Sequence, residues 1–308
     1  MPELSIITTF YKSRSYLPAF FEGIKKAVAD CGIQDFEVIC VNDGSPDNSL
    51  AYALEEKKVW QQLMIVDLSR NFGHHFALHA GISLAKGTYV FIIDSDLEVN
   101  PLVLKDFYSK IKDEKVDVVY GYQTNRKGGL VEKHGGGFFW KVFNRLSNTK
   151  VPPNILTERI FTKQYQEAIL KLGDKNLFLA GMYHWAGFKQ VGIPIGKGLR
   201  KGKSSYSLLH RMNLMLDAIS SFSERPLRLL FTVGVWAMLI AFSASLYLIT
   251  KKLIYGDAIS VGWTSIITLI FFIFGSIMSA LGILGIYLSK IFTQIQNRPL
   301  YIIKDIYS

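Results

Sequence analysis

Cysteine is almost absent from this 308-residue chain: Cys31 and Cys40 are the only two. Their spacing fits no metal-ligand pattern, and two thiols make no disulfide scaffold, so both read as small hydrophobes in a reducing compartment. The chain also lacks a Lys/Arg-rich block interleaved with aromatics, which argues against a nucleic-acid partner. Its start, Met1-Pro-Glu-Leu-Ser-Ile-Ile, has no basic segment followed by a long apolar core. The expectation is therefore no signal peptide and a cytosolic N-terminal part. Acids are outnumbered, with 25 Asp+Glu against 35 Lys+Arg and a net charge of +10, while mean hydropathy is positive. Basic and hydrophobic together point to a membrane surface. The length leaves room for one large domain, or a domain with an appendage.

Charge is missing from two long stretches. Leu229–Thr250 carries none, and beyond Lys251, Lys252 and Asp257 a second uncharged run covers Ala258–Ser289. About 20 apolar residues cross a bilayer core, so these runs predict two transmembrane helices joined by a short loop. Arg225 and Arg228 before the first run, with Lys290, Arg298 and Lys304 after the second, outnumber Lys251 and Lys252 between them. That balance puts both termini in the cytosol. Gly275 and Ser279, with Ser276 and Ala280, give a small-residue spacing that lets the two spans pack closely. Ahead of them, Lys197–Arg228 holds seven Lys/Arg against two acids, a surface for lipid head groups.

The first part alternates between strand and helix patterns. Apolar runs at Leu4–Thr9, Phe36–Val41, Leu63–Leu68, Tyr89–Ile93 and Val116–Tyr120 predict strands. Helical spacing covers Tyr16–Val28, His74–Ala85 and Pro101–Ile111, the last with Pro at its start. This alternation predicts an α/β nucleotide-binding sandwich with a mostly parallel sheet and helices on both faces. From Asn125 to Asn154 the pattern loosens into a Gly- and Pro-punctuated loop with an amphipathic helix, and Phe161–Gln190 returns to packed structure. The predicted division is a domain over 1–196, a basic amphipathic juxtamembrane segment over 197–228, an anchor over 229–291 and a cytosolic tail over 292–308.

The most informative chemistry is in Val90-Phe-Ile-Ile-Asp-Ser-Asp-Leu97, where a buried strand ends in Asp94 and Asp96. Residues two apart in an extended chain project to the same side. Both carboxylates can then meet one divalent cation at the carboxyl end of the sheet, where α/β folds bind ligands. Hard oxygen ligands suit Mg2+ or Mn2+ holding a diphosphate. Asp43 follows the second strand, placed either to accept from a base N–H or to serve as an N-cap or Asx-turn residue. Arg70 can reach a diphosphate or stitch loops together. His74 and His75 open a helix, where backbone N–H groups favour an anion, but they lack a third ligand for a metal. Arg200, Ser204 and Tyr206 lie just before the membrane region, where a guanidinium can grip phosphate oxygens bidentately.

Taken in order, these residues resemble glycosyltransferase family 2 with the GT-A fold. Within it they are similar to the membrane-anchored polyisoprenyl-phosphate glycosyltransferases, the group of dolichyl-phosphate mannose synthase and bacterial undecaprenyl-phosphate glucosyltransferases. The likeness runs through Ser5-Ile-Ile-Thr-Thr-Phe-Tyr11, Val41-Asn-Asp-Gly-Ser45, Leu68-Ser-Arg-Asn-Phe-Gly73, Asp94-Ser-Asp96, Arg200-x-Gly202-x-Ser204-x-Tyr206, Ser221-Phe-Ser-x-x-Pro-Leu227 and Arg298-Pro-Leu-Tyr301. Two departures lie near the expected nucleotide pocket. Thr9-Phe-Tyr-Lys-Ser13 stands where the family has Pro-x-Tyr-Asn-Glu, and Asn42 stands where it has a first acid.

The resemblance implies roles. Thr9, Tyr11, Asp43 and Arg70 border the nucleotide, and Asp43 touches the base. Asp96 ligates the cation directly, while Asp94 contacts the ribose or the metal through water. Arg159 lies near the acceptor phosphate, with Arg200, Ser204 and Tyr206. The implied reaction is an inverting transfer from a nucleotide-sugar, UDP-linked or GDP-linked, to a polyisoprenyl phosphate at the cytosolic membrane face. The product is a lipid-phosphate sugar donor for cell-surface glycans, and a homotetramer is allowed. An already anionic phosphate needs little help from a general base, so the missing base is expected. The alternative is a transferase acting directly on a glycolipid or lipid-linked glycan hydroxyl, which needs one. A processive polysaccharide synthase would carry Gln-x-x-Arg-Trp, absent here. Retention of both Asp94 and Asp96 argues against an inert scaffold or nucleotide sensor. Two spans alone do not flip the product, so a separate translocating partner is expected.

Overall fold

The computed structural model describes residues 1–124, 140–196, 217, 219–255 and 262–308. Its first half follows the apolar runs: strands β1 (Leu4–Phe10), β2 (Phe36–Asn42), β3 (Leu63–Leu68) and β4 (Tyr89–Ile92). Their side chains are almost all buried, because helices cover both faces of a parallel sheet, and such strands read as continuous apolar runs. Helices α1 (Leu17–Cys31), α2 (Ser49–Val59) and α3 (His74–Leu84) make the crossovers. In α1, Pro18 occupies the first turn and Leu17, Phe20, Phe21, Ile24 and Val28 form one buried stripe. A single 3-10 turn at Pro101–Val103, capped by the Asn100 side chain, precedes α4 (Leu104–Glu114).

The second half contains β5 (Val118–Tyr122), β6 (Ile155–Thr162), α5 (Lys163–Leu170), α6 (Leu179–Trp185) and β7 (Gln190–Pro194). Two long helices follow, α7 (Arg225–Tyr255) and α8 (Trp263–Gln296), and the chain ends in β8 (Ile303–Tyr307). The eight strands form one sheet in the order β7-β5-β6-β4-β1-β2-β3-β8. Among the described residues the sheet is mixed, with four pairings parallel and three antiparallel. Parallel pairing holds for β1–β2, β1–β4, β2–β3 and β5–β7. However, β6 runs antiparallel to both β4 and β5, and β8 antiparallel to β3. The physical reason is the connection. Antiparallel to β5, β6 enters the sheet from the end at which β5 left it. That end is also where β4 finishes.

Two hydrophobic layers sandwich the sheet. On one side α1, α2 and α4 pack on Leu4, Ile6, Val38, Cys40, Ile65 and Phe91. On the other, α3, α5 and α6 pack on Ile7, Ile39, Val41, Val66, Val90 and Ile92. The alternation of neighbouring residues between the layers is the period-two pleat.

Among the described residues one helical stretch is long and apolar enough to cross a membrane, Phe272–Gln296 in α8, with mean hydropathy 1.9 and no burial in the protein. The first predicted span, Leu229–Thr250, lies within the 31-residue α7. The last turns of α8 are fastened to the segment that precedes α7 and to the loop between α5 and α6. Tyr287 donates to the Ser223 carbonyl at 2.6 Å, Lys290 meets Asp217 at 2.7 Å, and Gln294 accepts from the Lys175 amide at 3.0 Å. The spacing from Tyr287 to Lys290 to Gln294 puts all three on one helix face. Beyond it the tail, which carries no strand signal in the sequence, becomes the edge strand of the main sheet. The Ser69 amide donates to the Ile302 carbonyl at 3.0 Å, and the Tyr301 and Ser83 hydroxyls lie 3.0 Å apart.

Candidate active site

The carboxyl ends of β1, β2 and β4 open onto one end of the sheet, and the acidic motif lies there. β4 stops at Ile92, so Asp94-Ser-Asp96 forms the turn after the strand. The same-side argument for an extended chain is corrected accordingly; the position at the strand end is what remains of it. The Ser95 hydroxyl donates to the Thr9 carbonyl at 2.8 Å and ties this turn to the end of β1. The Asp96 Oδ1 accepts from the Glu98 amide at 3.0 Å, and Leu97 between them takes a left-handed φ of 59°. Asp96 is exposed and Asp94 half-buried.

Asp94 has an uncompensated oxygen. Its Oδ1 lies 3.4 Å from His74 Nε2, within ion-pair range, but is buried without a hydrogen-bond partner. His74 Nδ1 is 3.0 Å from the Thr9 hydroxyl. One ring nitrogen meets the Thr9 hydroxyl, and the other faces the Asp94 carboxylate without completing a hydrogen bond. Thr9, His74 and Asp94 thus form one chain of polar contacts across β1, α3 and β4. His74 was read from the sequence only as a helix start; its bridging place depends on packing of α3 against the sheet.

Asp43 is spent largely on the fold. It is 3% exposed, and its carboxylate accepts from the Phe72 amide at 2.7 Å and the Gly73 amide at 3.1 Å. Asn71 donates to the Asp43 carbonyl at 3.0 Å. Burial pushes the Asp43 carboxyl above its ordinary range, against the pull of those two amides. This residue bolts the loop after β3 onto the end of β2. Arg70, on that loop, stacks 4.1 Å from the Phe72 ring and donates to the Asn71 carbonyl at 2.9 Å. Tyr11 leaves its ring 44% exposed, with the Lys12 ammonium 5.3 Å from its centroid.

The departure at Asn42 has a local cause. Its side-chain amide donates to Asp67 Oδ1 at 2.7 Å, and its oxygen accepts from the Ser45 amide at 3.0 Å. Asn42 and Asp67 face each other in the β2–β3 register. Asn42→Asp would replace the amide donor between them and set two buried carboxylates against each other, a like-charge contact. The expected result is a loss of about 1–3 kcal/mol of stability, read as a lower thermal midpoint in detergent; an unchanged midpoint at neutral pH would sink this account.

Arg159 reaches the site through the antiparallel strand. β6 pairs Arg159 with Ile92, two residues before Asp94. The side chain is 2% exposed, donates through Nε to the Thr157 carbonyl and through Nη2 to the Leu156 carbonyl, each at 3.0 Å, and lies 3.7 Å over the Tyr183 ring. Its Nη1 is buried without a partner. His75 is packed beside His74 at 5.9 Å between ring centroids and contacts the Leu177 carbonyl through Nδ1 at 3.1 Å. Burial pushes its pKa down. The predicted residues Arg200, Ser204 and Tyr206 lie outside the described residues. The structure therefore brings Thr9, Asp94 and Arg159 to one end of the sheet, with Asp43 and Arg70 on the adjoining loops. Tyr183, absent from the sequence reading, joins them from α6.

Residues 5–172 match the model of "Glycosyl transferase family 2". Three relatives align with nearly the whole chain. A protein of Mycobacterium tuberculosis named "Putative glycosyltransferases" is 36% identical over 99% of this chain and 88% of its own length. An uncharacterized glycosyltransferase of Synechocystis is 32% identical over 99% of this chain and 96% of its own. The SfII prophage-derived bactoprenol glucosyl transferase of Shigella flexneri is 28% identical, over 98% of this chain and 97% of its own.

Proposed function

We propose that this chain, which belongs to glycosyl transferase family 2, moves a sugar from a nucleotide-sugar, UDP-linked in preference to GDP-linked, onto a polyisoprenyl phosphate at a membrane surface. The observation that carries this reading is the join between its halves. An apolar helix long enough to cross a bilayer is fastened by Tyr287 and Lys290 to the segment before α7 and by Gln294 to the loop between α5 and α6, and the tail beyond it forms an edge strand of the main sheet. A lipid-borne acceptor phosphate lies in the interfacial plane, and an enzyme anchored there meets it without a three-dimensional search. The bactoprenol glucosyl transferase named among the relatives supports the same acceptor class. In this reading α7 supplies the second span, the sheet faces the cytosol, and the chain can assemble with copies of itself.

A divalent cation, Mg2+ or Mn2+, fits the acidic turn. Asp94 presents a buried oxygen with no hydrogen-bond partner, and Asp96 lies two residues on, in the exposed part of the turn. Among the described residues no group of three or more His, Cys, Asp or Glu side chains gathers. Asp96 and Asp94 would hold such a cation together with diphosphate oxygens, the hard oxygen donors that it prefers. When bound, the cation supplies Lewis-acid stabilisation of the leaving diphosphate. The protein's own part is positioning. Tyr11 and the Asp43–Arg70 loops border the nucleotide, His74 holds Asp94, and Arg159 with Arg200, Ser204 and Tyr206 receives the acceptor phosphate. That phosphate is anionic at neutral pH and attacks the anomeric carbon as it stands, with inversion, while electrostatic stabilisation of the leaving group lowers the barrier.

Radiolabel transfer from a panel of UDP- and GDP-sugars to undecaprenyl phosphate in detergent tests this. One donor should give a chloroform-extractable, acid-labile product, and EDTA should abolish it. Donor hydrolysis without lipid product would keep the nucleotide site and move the acceptor to a glycan hydroxyl.

A further inference from the structure

Three buried polar atoms beside the acidic turn have no hydrogen-bond partner among the described residues: Asp94 Oδ1, Arg159 Nη1 and the Tyr183 hydroxyl. They come from three elements, the exit of β4, the strand β6 and the helix α6. Buried polar groups are nearly always paired, and each exception calls for an explanation. Leaving a charged N–H unpaired costs more than leaving a neutral one, and Arg159 is among the largest fully buried side chains of the protein.

We infer that the Tyr183 hydroxyl and Arg159 Nη1 act as one donor pair that takes a phosphate oxygen. Arg159 lies 3.7 Å over the Tyr183 ring, so the two donors belong to one stacked unit. The unit is held from behind. The Tyr183 carbonyl accepts from the Tyr165 hydroxyl at 2.6 Å and from the Gln190 amide at 2.7 Å. Gly181, two residues earlier, has room for no side chain, because a Cβ there would lie 2.8 Å from both Phe178 and Phe222. Tyr183 is 2% exposed, so its ring is held in one place by packing. Burial pushes its pKa up to about 12, which keeps the proton in place as a donor at neutral pH. With two of its guanidinium nitrogens engaged on the Leu156 and Thr157 carbonyls, Arg159 has Nη1 left for a ligand.

The inference rests on the proposed reaction and sharpens it, because the same chemistry occurs on either substrate: the acceptor phosphate or the donor diphosphate. The test is Tyr183→Phe in the full-length protein in detergent. That change keeps the ring under Arg159 and removes only the hydroxyl. A hydroxyl that merely fills the core leaves every kinetic constant alone, and its removal raises the thermal midpoint or leaves it unchanged, since an unpaired buried group is lost. A phosphate-binding hydroxyl gives the same midpoint with a loss of about tenfold or more in kcat/KM. If the loss resides in KM for undecaprenyl phosphate, with UDP affinity by calorimetry unchanged, the pair serves the acceptor. If UDP affinity falls instead, it serves the donor. Constants all within twofold of the wild type overturn the inference. A second measurement survives an unstable variant or an inactive preparation: 3-fluorotyrosine at position 183, read by fluorine NMR. Its resonance should move on addition of UDP or of inorganic phosphate, and a resonance indifferent to both overturns the assignment. Failure of the wild type to label any lipid would count against the proposed reaction alone, because the resonance is read without turnover.

Discussion

Asp94→Asn lowers sugar transfer by about a hundredfold to a thousandfold while the thermal midpoint stays the same or rises slightly. The two side chains have the same shape, so the packing of the turn is preserved. What disappears is the negative charge on a buried oxygen that lacks a hydrogen-bond donor and has only the His74 ring at 3.4 Å. For the free protein that charge is a liability, since burying a charge without full pairing is costly. Losing it should therefore cost the fold nothing. Its use must lie in what it meets when substrate arrives, and the loss should fall on turnover. Transfer assays on the variant, beside calorimetric titration of UDP with and without Mn2+, separate the outcomes. The expected pattern is a collapse of transfer together with loss of the manganese-dependent part of UDP binding. Transfer retained within tenfold would sink the assignment of Asp94 to the reacting centre, and a large drop in the midpoint would make it a structural residue instead.

The sequence made β1 to β4 legible because their side chains are almost all buried and so read as largely apolar runs, and β5 legible through its shorter Val118-Val119-Tyr120 stretch. The acidic motif was legible for the same reason: two carboxylates directly after Val90–Ile93 stand out against that run. What the sequence concealed were contacts between distant segments. Arg159 and Tyr183 stack only because β6 enters antiparallel beside β4 and α6 folds back over it, and no local pattern announces either event. β8 was hidden because Ile303-Lys-Asp-Ile-Tyr307 is an edge strand with exposed polar residues, close to the composition of a solvated tail. Asp43 illustrates the intermediate case. Its position after a strand marked it as a turn residue or a base contact, but its acceptance of the Phe72 and Gly73 amides requires two loops that are remote in the chain. The Asn42 departure likewise becomes readable only once Asp67 is known to face it.

Those loops meet at a glycine, and Gly44→Ala is expected to remove about 3 kcal/mol or more of stability and most nucleotide affinity with it. Two costs combine. Gly44 has a φ of 62°, a left-handed conformation in which an L side chain costs roughly 1–2 kcal/mol. A Cβ there would also lie 2.4 Å from the Asn71 amide nitrogen and 2.5 Å from the Arg70 carbonyl carbon. Both are backbone atoms, so no rotamer change relieves the collision, and overpacking of this kind adds about 1–3 kcal/mol. The chain can respond only by moving the 70–73 loop away from β2, which strips the Phe72 and Gly73 amides from the Asp43 carboxylate and carries Arg70 off with them. Gly32→Ala is the control. Gly32 has a φ of 69°, nearly the same conformation, but nothing lies within 4 Å of a Cβ at that position. It should lose only the backbone term, roughly 1–2 kcal/mol, and keep its affinity for UDP. Thermal midpoints and UDP calorimetry on the two variants in parallel check the argument. Equal losses at both glycines would mean that conformational strain alone operates and that the close approach of the two loops contributes nothing. A clear excess at Gly44, accompanied by weakened UDP binding, is the result expected if this contact sets the loop geometry of the nucleotide site.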